Sequence, residues 1–217
     1  MEIKTYDPQD HYIKALIYGP SGAGKTRFAG TAEISKSVFA SAEGGLLSIA
    51  ALKPNYTDIK SVGDLVDMYN LLKKGEHKYD TVIIDSISEI NEIIKSEIEK
   101  KNGRSMQLQD WGDLGKKIRD IFRKFRDLPM HVIFIAQEQY LTDADKIEKI
   151  VPALNGKSAS DIAYFMDIVG YAHVDADGKE WIETGANRRY YTKDRSGKIG
   201  NTTPKDFEEW KKKVTTI

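Results

Sequence analysis

Four short apolar runs punctuate the chain: residues 15–19 (ALIYG), 37–42 (SVFASA), 81–85 (TVIID) and 131–136 (HVIFIA). Each is nearly continuous in apolar character, the pattern of a strand buried on both faces of a parallel sheet. Between the runs the apolar period changes. Ile87, Ile90, Ile94 and Ile98 follow the third run at helical spacing, and Leu114, Ile118, Ile121, Phe122 and Phe125 precede the fourth in the same way. Strands alternating with amphipathic helices predict an α/β fold with a mainly parallel central sheet and helices on both faces. The last third reads differently. DIVGYAHV, EWIET and RRYYTKD look like consecutive strands, with Asp177-Gly178 as a hairpin turn between the first two. An antiparallel C-terminal extension is therefore expected. No repeat or low-complexity tract interrupts the pattern. The 217 residues fit one domain: a short N-terminal segment (1–13), a parallel core (14–170), and antiparallel strands with a C-terminal tail (171–217).

Composition narrows the function. Hydrophobic residues make up 40% and charged residues 30%, an ordinary globular balance. Lysine plus arginine equals aspartate plus glutamate at 33 each, which excludes a globally basic nucleic-acid coat protein but leaves room for a local basic patch. With no cysteine, disulfides, zinc knuckles, iron–sulfur clusters and thiol nucleophiles drop out. No run approaches the roughly 18 apolar residues of a membrane span, and the first residues, MEIKTYDPQDHY, lack the apolar core of a signal peptide. The expectation is a cytoplasmic protein without a membrane partner.

The strongest chemical signal is GPSGAGKT: Gly19, Pro20, Ser21, Gly22, Ala23, Gly24, Lys25 and Thr26. It matches the phosphate-binding G-x-x-x-x-G-K-[ST] pattern and lies between an apolar strand and a helix-forming stretch, as the pattern requires. Backbone N–H groups of the glycine-rich turn and the helix N-terminus would cradle phosphate oxygens. Lys25 would reach the β- and γ-phosphates, and the Thr26 hydroxyl would bind Mg²⁺. Asp85, closing TVIID, reads as the second Mg²⁺ carboxylate. Hydrolysis also needs a group to orient water, and two strand ends offer one: Glu43 in SAEGG and Gln137 in FIAQEQ. In a parallel sheet such C-terminal strand ends line the ligand crevice.

The succession GPSGAGKT, SAEGG, VIIDS, VIFIAQ resembles the RecA-type recombinase core. That core has a catalytic Glu after its second strand, an Asp-Ser pair closing its third, and a Gln that closes a later strand, senses γ-phosphate and gates a DNA-binding loop. The compact size and the later YTKDRSG segment look closer still to phage-encoded RecA-core proteins of single-strand annealing and recombination. The likeness runs from about Lys14 to Gly197. It implies a RecA-like P-loop ATPase with Glu43 as water activator and Gln137 as sensor. It further implies ATP and Mg²⁺ as ligands, single-stranded DNA as partner, a homo-oligomeric ring or filament, and contact with a single-strand-binding protein in a host cytoplasm. The stretch after Glu43, GGLLSIAA, lacks the aromatic with which RecA holds adenine, so no base contact carries over.

Two segments match the positions of the family's DNA-binding loops. KKNGRSMQLQDWG brings Lys100, Lys101 and Arg104, and EQYLTDADKIEKIVPALNGKS brings Tyr140, Lys146, Lys149 and Lys157. Residues 91–126 carry ten basic against six acidic side chains, and Tyr140 and Trp111 offer rings for base stacking. The competing reading is a solvated helix face, with Trp111 in the core. Lys193 and Arg195 are candidates for acting in trans on the γ-phosphate of a neighbouring subunit; locally, they would pair with Asp194. Other matches fail. DADG at residues 175–178 lacks the bidentate Glu of a calcium loop, and TKD is not the guanine-reading T-K-x-D. The four histidines are dispersed. Rival functions are a hexameric helicase or packaging motor, a small P-loop kinase, and a non-catalytic ATP switch that recruits a recombination partner.

Overall fold

A computed structural model describes residues 5–142, 146–155 and 158–216. The four apolar runs form β1 (Lys14–Tyr18), β2 (Ser37–Ser41), β4 (Thr81–Asp85) and β5 (His131–Ala136), and β3 (Asn55–Asp58) joins them. All five run parallel. A small antiparallel sheet follows: β6 (Glu138–Thr142) paired with β7 (Glu148–Pro152). The chain then returns to the main sheet as β8 (Ile168–Val174), parallel to β1. Beyond it, β9 (Glu180–Glu183), β10 (Lys193–Asp194) and β11 (Thr202–Pro204) are antiparallel additions. The order across the sheet is β11-β9-β8-β1-β5-β4-β2-β3, with β10 also on β8. This is the mainly parallel core with an antiparallel extension that the sequence predicts. β8 crosses the boundary drawn at residue 170, since it is parallel to β1 and antiparallel to β9.

The strands split their side chains by period two. β5 sends Val132, Phe134 and Ala136 to one face and Ile133 and Ile135 to the other. The first face is covered by α2 (Val62–Lys74), α3 (Ile87–Asn102), α4 (Leu108–Arg126) and α5 (Ser158–Phe165), through residues such as Leu65, Ile94, Phe122 and Ile162. The second is covered by α1 (Lys25–Ala29) and α6 (Phe207–Thr215). There the Phe28 ring lies 4.7 Å from Trp210 and 5.9 Å from Phe207. Cover on both faces is why these strands carry no polar alternation.

Three readings are corrected. RRYYTKD is not a strand throughout: only Lys193–Asp194 pairs with β8, while Tyr190 bridges to Ile150 of the small sheet. The segment after Gln137 is not a loop but the β6–β7 hairpin. Lys100 and Lys101 belong to the last turn of α3, where cations favour the helix dipole.

His131, at the start of β5, carries a pH-dependent part of the stability. It is buried, and its Nδ1 accepts the Ile13 N–H at 3.0 Å. Burial, then the Lys211 cation, pushes its pKa down from 6.5 to about 4. The unfolded chain therefore binds this proton more readily than the native one. The stabilisation is complete above pH 6.5 and is lost as pH falls through about 4, a swing on the order of 3 kcal/mol. Urea unfolding of the protein and of His131→Gln from pH 7.5 to 4 measures it. The substituted protein is expected to lose less stability over that range; parallel profiles would refute the assignment.

Candidate active site

Because β1, β2, β4 and β5 are parallel, their C-terminal ends converge on one edge of the sheet. β1 runs into the glycine-rich turn, which runs into α1. Two of its glycines are required by their surroundings. A Cβ on Gly19, at φ +152°, would lie 2.3 Å from the Ala172 carbonyl oxygen of β8. One on Gly24, at φ +72°, would lie 2.5 Å from the Glu180 carboxylate of β9. At Gly19 it is the backbone of β8 that leaves no room for a side chain, and at Gly24 the left-handed conformation itself favours glycine.

The resulting cleft has a volume of about 560 Å³, and Lys25, Thr26, Glu43, Asp85 and Gln137 all line it. The predicted nucleotide and catalytic groups thus come together in one cavity. Thr26 Oγ1 donates to Asp85 Oδ2 at 2.7 Å. Lys25 Nζ folds back on its own turn, donating to the carbonyls of Gly19 (2.9 Å) and Pro20 (2.7 Å). Gln137 Nε2 donates to Glu43 Oε1 at 2.6 Å. The Gln137 backbone is held as well: its N–H donates to Ser88 Oγ (3.0 Å), and its carbonyl accepts from Ala153 at the end of the hairpin (2.8 Å).

The charges in the cleft perturb one another. Burial pushes the Asp85 carboxyl up, with Glu43 adding to the effect, while the Thr26 hydrogen bond and Lys25 oppose it. Burial pushes Lys25 down, against the pull of Glu43, Asp85 and Glu138. An Mg²⁺ ion suits this donor set. A hydroxyl and a carboxylate in contact beside a phosphate-binding turn are the hard oxygen ligands it takes, with phosphate and water completing the shell.

Three residues at the turn escaped the sequence reading. Arg27 lines the cleft and pairs with Glu180. Lys205 Nζ donates to the Ala23 carbonyl and lies 3.6 Å from Glu180. Burial, with Arg27 and Lys25 nearby, pushes Lys205 down to about 8. Arg27 was visible as the neighbour of Thr26. Glu180 and Lys205 carried no local signal.

The remaining candidates scatter. α3 starts beside Asp85 and its 16 residues carry the chain roughly 24 Å along its axis, so Lys100, Lys101 and Arg104 lie about a helix length from Asp85. Arg104 is committed to buried Asp110 at 2.5 Å, where α4 begins. Trp111 is 40% exposed, with Lys95 over its ring, and is not core. Lys146, Lys149 and Tyr140 lie on or beside the hairpin, the Tyr140 hydroxyl donating to Glu138 at 3.1 Å. Lys157 lies outside the described residues. Lys193 and Arg195 sit where β8 begins, at the sheet edge opposite the phosphate turn. Lys193 Nζ donates to the carbonyls of Ala163, Tyr164 and Met166, closing the end of α5. Arg195 bonds Tyr164 and pairs with Asp167, not Asp194.

A family model described as an AAA domain matches residues 11–196. No curated protein matches the chain. Among solved structures it is similar to a KaiC-like protein of the hyperthermophilic archaeon Pyrococcus horikoshii OT3, at 15% identity and a TM-score of 0.46, covering 79% of this chain and 77% of that one. It is also similar to an ATPase from the type III secretion system of pathogenic bacteria, at 9% identity and a TM-score of 0.49. That match covers 76% of this chain and 51% of the other. Among the described residues no helix is long and apolar enough to cross a membrane.

Proposed function

The chain belongs to the AAA-domain family, and from that premise we propose that this P-loop ATPase domain turns over ATP with Mg²⁺ in a cycle coupled to single-stranded DNA, serving recombination or annealing. Residues 19–26 cradle the phosphates, and Lys25 leaves its own turn carbonyls for phosphate oxygens. Thr26 and Asp85 hold Mg²⁺. The ion supplies neutralisation of the charge on the β- and γ-phosphate oxygens. Glu43 orients the attacking water and takes its proton.

The observation that carries the coupling is the Gln137–Glu43 hydrogen bond at 2.6 Å. The Gln137 amide occupies the carboxylate that the attacking water would need. A γ-phosphate competes for that amide, which frees Glu43. Gln137 is covalently the residue before the hairpin and is bonded to its far end at Ala153. The same exchange therefore reaches a surface carrying Tyr140, Lys146 and Lys149. A homo-oligomer, ring or filament, would place Lys193 and Arg195 against a neighbour's γ-phosphate once they let go of α5.

The test is the steady-state ATPase rate with and without a single-stranded oligonucleotide, with light scattering to size the species. Stimulation is expected in the protein and is expected to vanish in Gln137→Ala. Equal rates with and without oligonucleotide, together with no oligonucleotide binding at low salt, would remove the DNA reading and leave the ATPase.

A further inference from the structure

Beside the hairpin lies an open groove of about 450 Å³ that none of the nucleotide-site residues lines. Lys149 and Ile147 form one wall, and Arg188, Tyr190 and Tyr191 the other. The geometry points to a second half of the nucleic-acid surface: we propose that residues 187–191 and β7 together hold a single-stranded polynucleotide, its phosphates on Arg188 and Arg189 and a base on Tyr191. This rests on the single-strand reading above and adds to it a segment of the chain to which that reading assigns no role.

The segment is held in place. Ile150 N–H donates to the Arg189 carbonyl (2.8 Å), and Tyr191 N–H donates to the Ile150 carbonyl (3.3 Å). The stretch is therefore fixed to β7 at one point, a parallel bridge between Tyr190 and Ile150. The Asn187 side chain accepts from the Arg189 N–H at 2.8 Å and shapes the entry. Tyr190 turns inward and stacks on Tyr171, with ring centroids 4.2 Å apart and planes 14° apart. Its neighbours Arg189 and Tyr191 are exposed, as is Arg188.

The arginines make the case for phosphate. Of the eight in the chain, five are paired with carboxylates and Arg123 lies over the Phe165 ring. Among the described residues, the guanidinium groups of Arg188 and Arg189 alone have neither. Two adjacent, exposed forks beside a tyrosine on a fixed backbone suit a chain of phosphates with accessible bases. A duplex hides its bases, so a ring at the surface gains nothing from it.

Fluorescence anisotropy over a salt series tests this, with labelled oligothymidylate and its ribose counterpart oligouridylate as the two arms, which tell DNA from RNA. In Arg188→Ala/Arg189→Ala, affinity for the preferred strand is expected to fall roughly tenfold or more, and the slope of log K against log salt to flatten by about one to one and a half units. Tyr191→Ala is expected to weaken binding roughly 5- to 100-fold with the slope unchanged. Lys116→Ala/Lys117→Ala, the same charge change on the exposed face of α4, is expected to alter neither. ATP affinity, measured alongside, reports that each variant is folded; should the double arginine variant lose it, Tyr191→Ala decides. Binding by the wild type that none of the groove variants weakens would overturn this inference and leave the single-strand reading standing. No binding of either strand by the folded wild type would overturn both.

Discussion

Lys25→Ala is expected to abolish tight ATP binding. The cleft proposed to receive the triphosphate is lined by Glu43 and Asp85, and Lys25 is a cation that both carboxylates act on. Without it, the phosphate charges would meet two carboxylates, and the other cation in the lining, Arg27, is already paired with Glu180. The Nζ now makes two short bonds to the carbonyls of Gly19 and Pro20, so the ammonium is already aimed at the turn that holds phosphate. Two charge-assisted hydrogen bonds at about 1.5–3 kcal/mol each correspond to a loss of roughly 10²–10⁴ in affinity. Titration calorimetry with ATP and Mg²⁺ measures it, with circular dichroism as the check on folding. A folded variant that binds ATP as the wild type does would remove the phosphate-loop assignment.

Glu43→Gln is expected to separate binding from chemistry. The two side chains have the same shape, and the new amide still presents an oxygen to the Gln137 Nε2 donor. Nucleotide affinity should hold within a few-fold. What disappears is the group that accepts the water's proton, and hydrolysis should fall by ~10²–10⁴. Single-turnover hydrolysis beside equilibrium binding of a fluorescent ATP analogue distinguishes the two. Turnover at the wild-type rate would show that the base lies elsewhere. Glu138 is an unpromising substitute, because it accepts the hydroxyls of Tyr171 and Tyr140 at 2.9 and 3.1 Å. Glu89, in the first turn of α3 on the cavity next to Gln137, would be examined next.

Much of the fold was legible because the central strands are buried on both sides. Nothing polar intervenes in residues 82–84 or 132–136, and no solvated helix or loop accounts for such runs. β3 was invisible for the opposite reason. Asn55–Asp58 is an edge strand whose side chains mostly face water, so it carries no apolar run. The hairpin after Gln137 was hidden in the same way, since β6 is largely exposed. RRYYTKD misled because aromatic and basic residues in sequence favour a strand without saying which sheet they join. The backbone of Arg189 and Tyr191 bonds to Ile150 of the small sheet, and only Lys193–Asp194 pairs with β8.

The sequence by itself determined the phosphate turn, the Asp that closes β4, and the two strand-end groups Glu43 and Gln137. These follow from short-range chemistry: glycines that permit a left-handed backbone, a helix that starts directly after them, and strands that must end where their apolar runs end. Once parallel, the strands could deliver those ends only to one edge. Tertiary structure alone decided which long side chains meet. Glu180 reaches Arg27, 153 residues away in sequence, and Lys205 reaches Ala23 across 182. Lys193 and Arg195 are spent on the end of α5, while Arg188 and Arg189, beside them in sequence, face solvent. A charged side chain on a flexible stem has no periodic signature. Its partner is whatever carboxylate or carbonyl the packing of distant segments leaves within reach, because an ion pair forms only when the cost of ordering and desolvating both groups is offset by a partner already held in place.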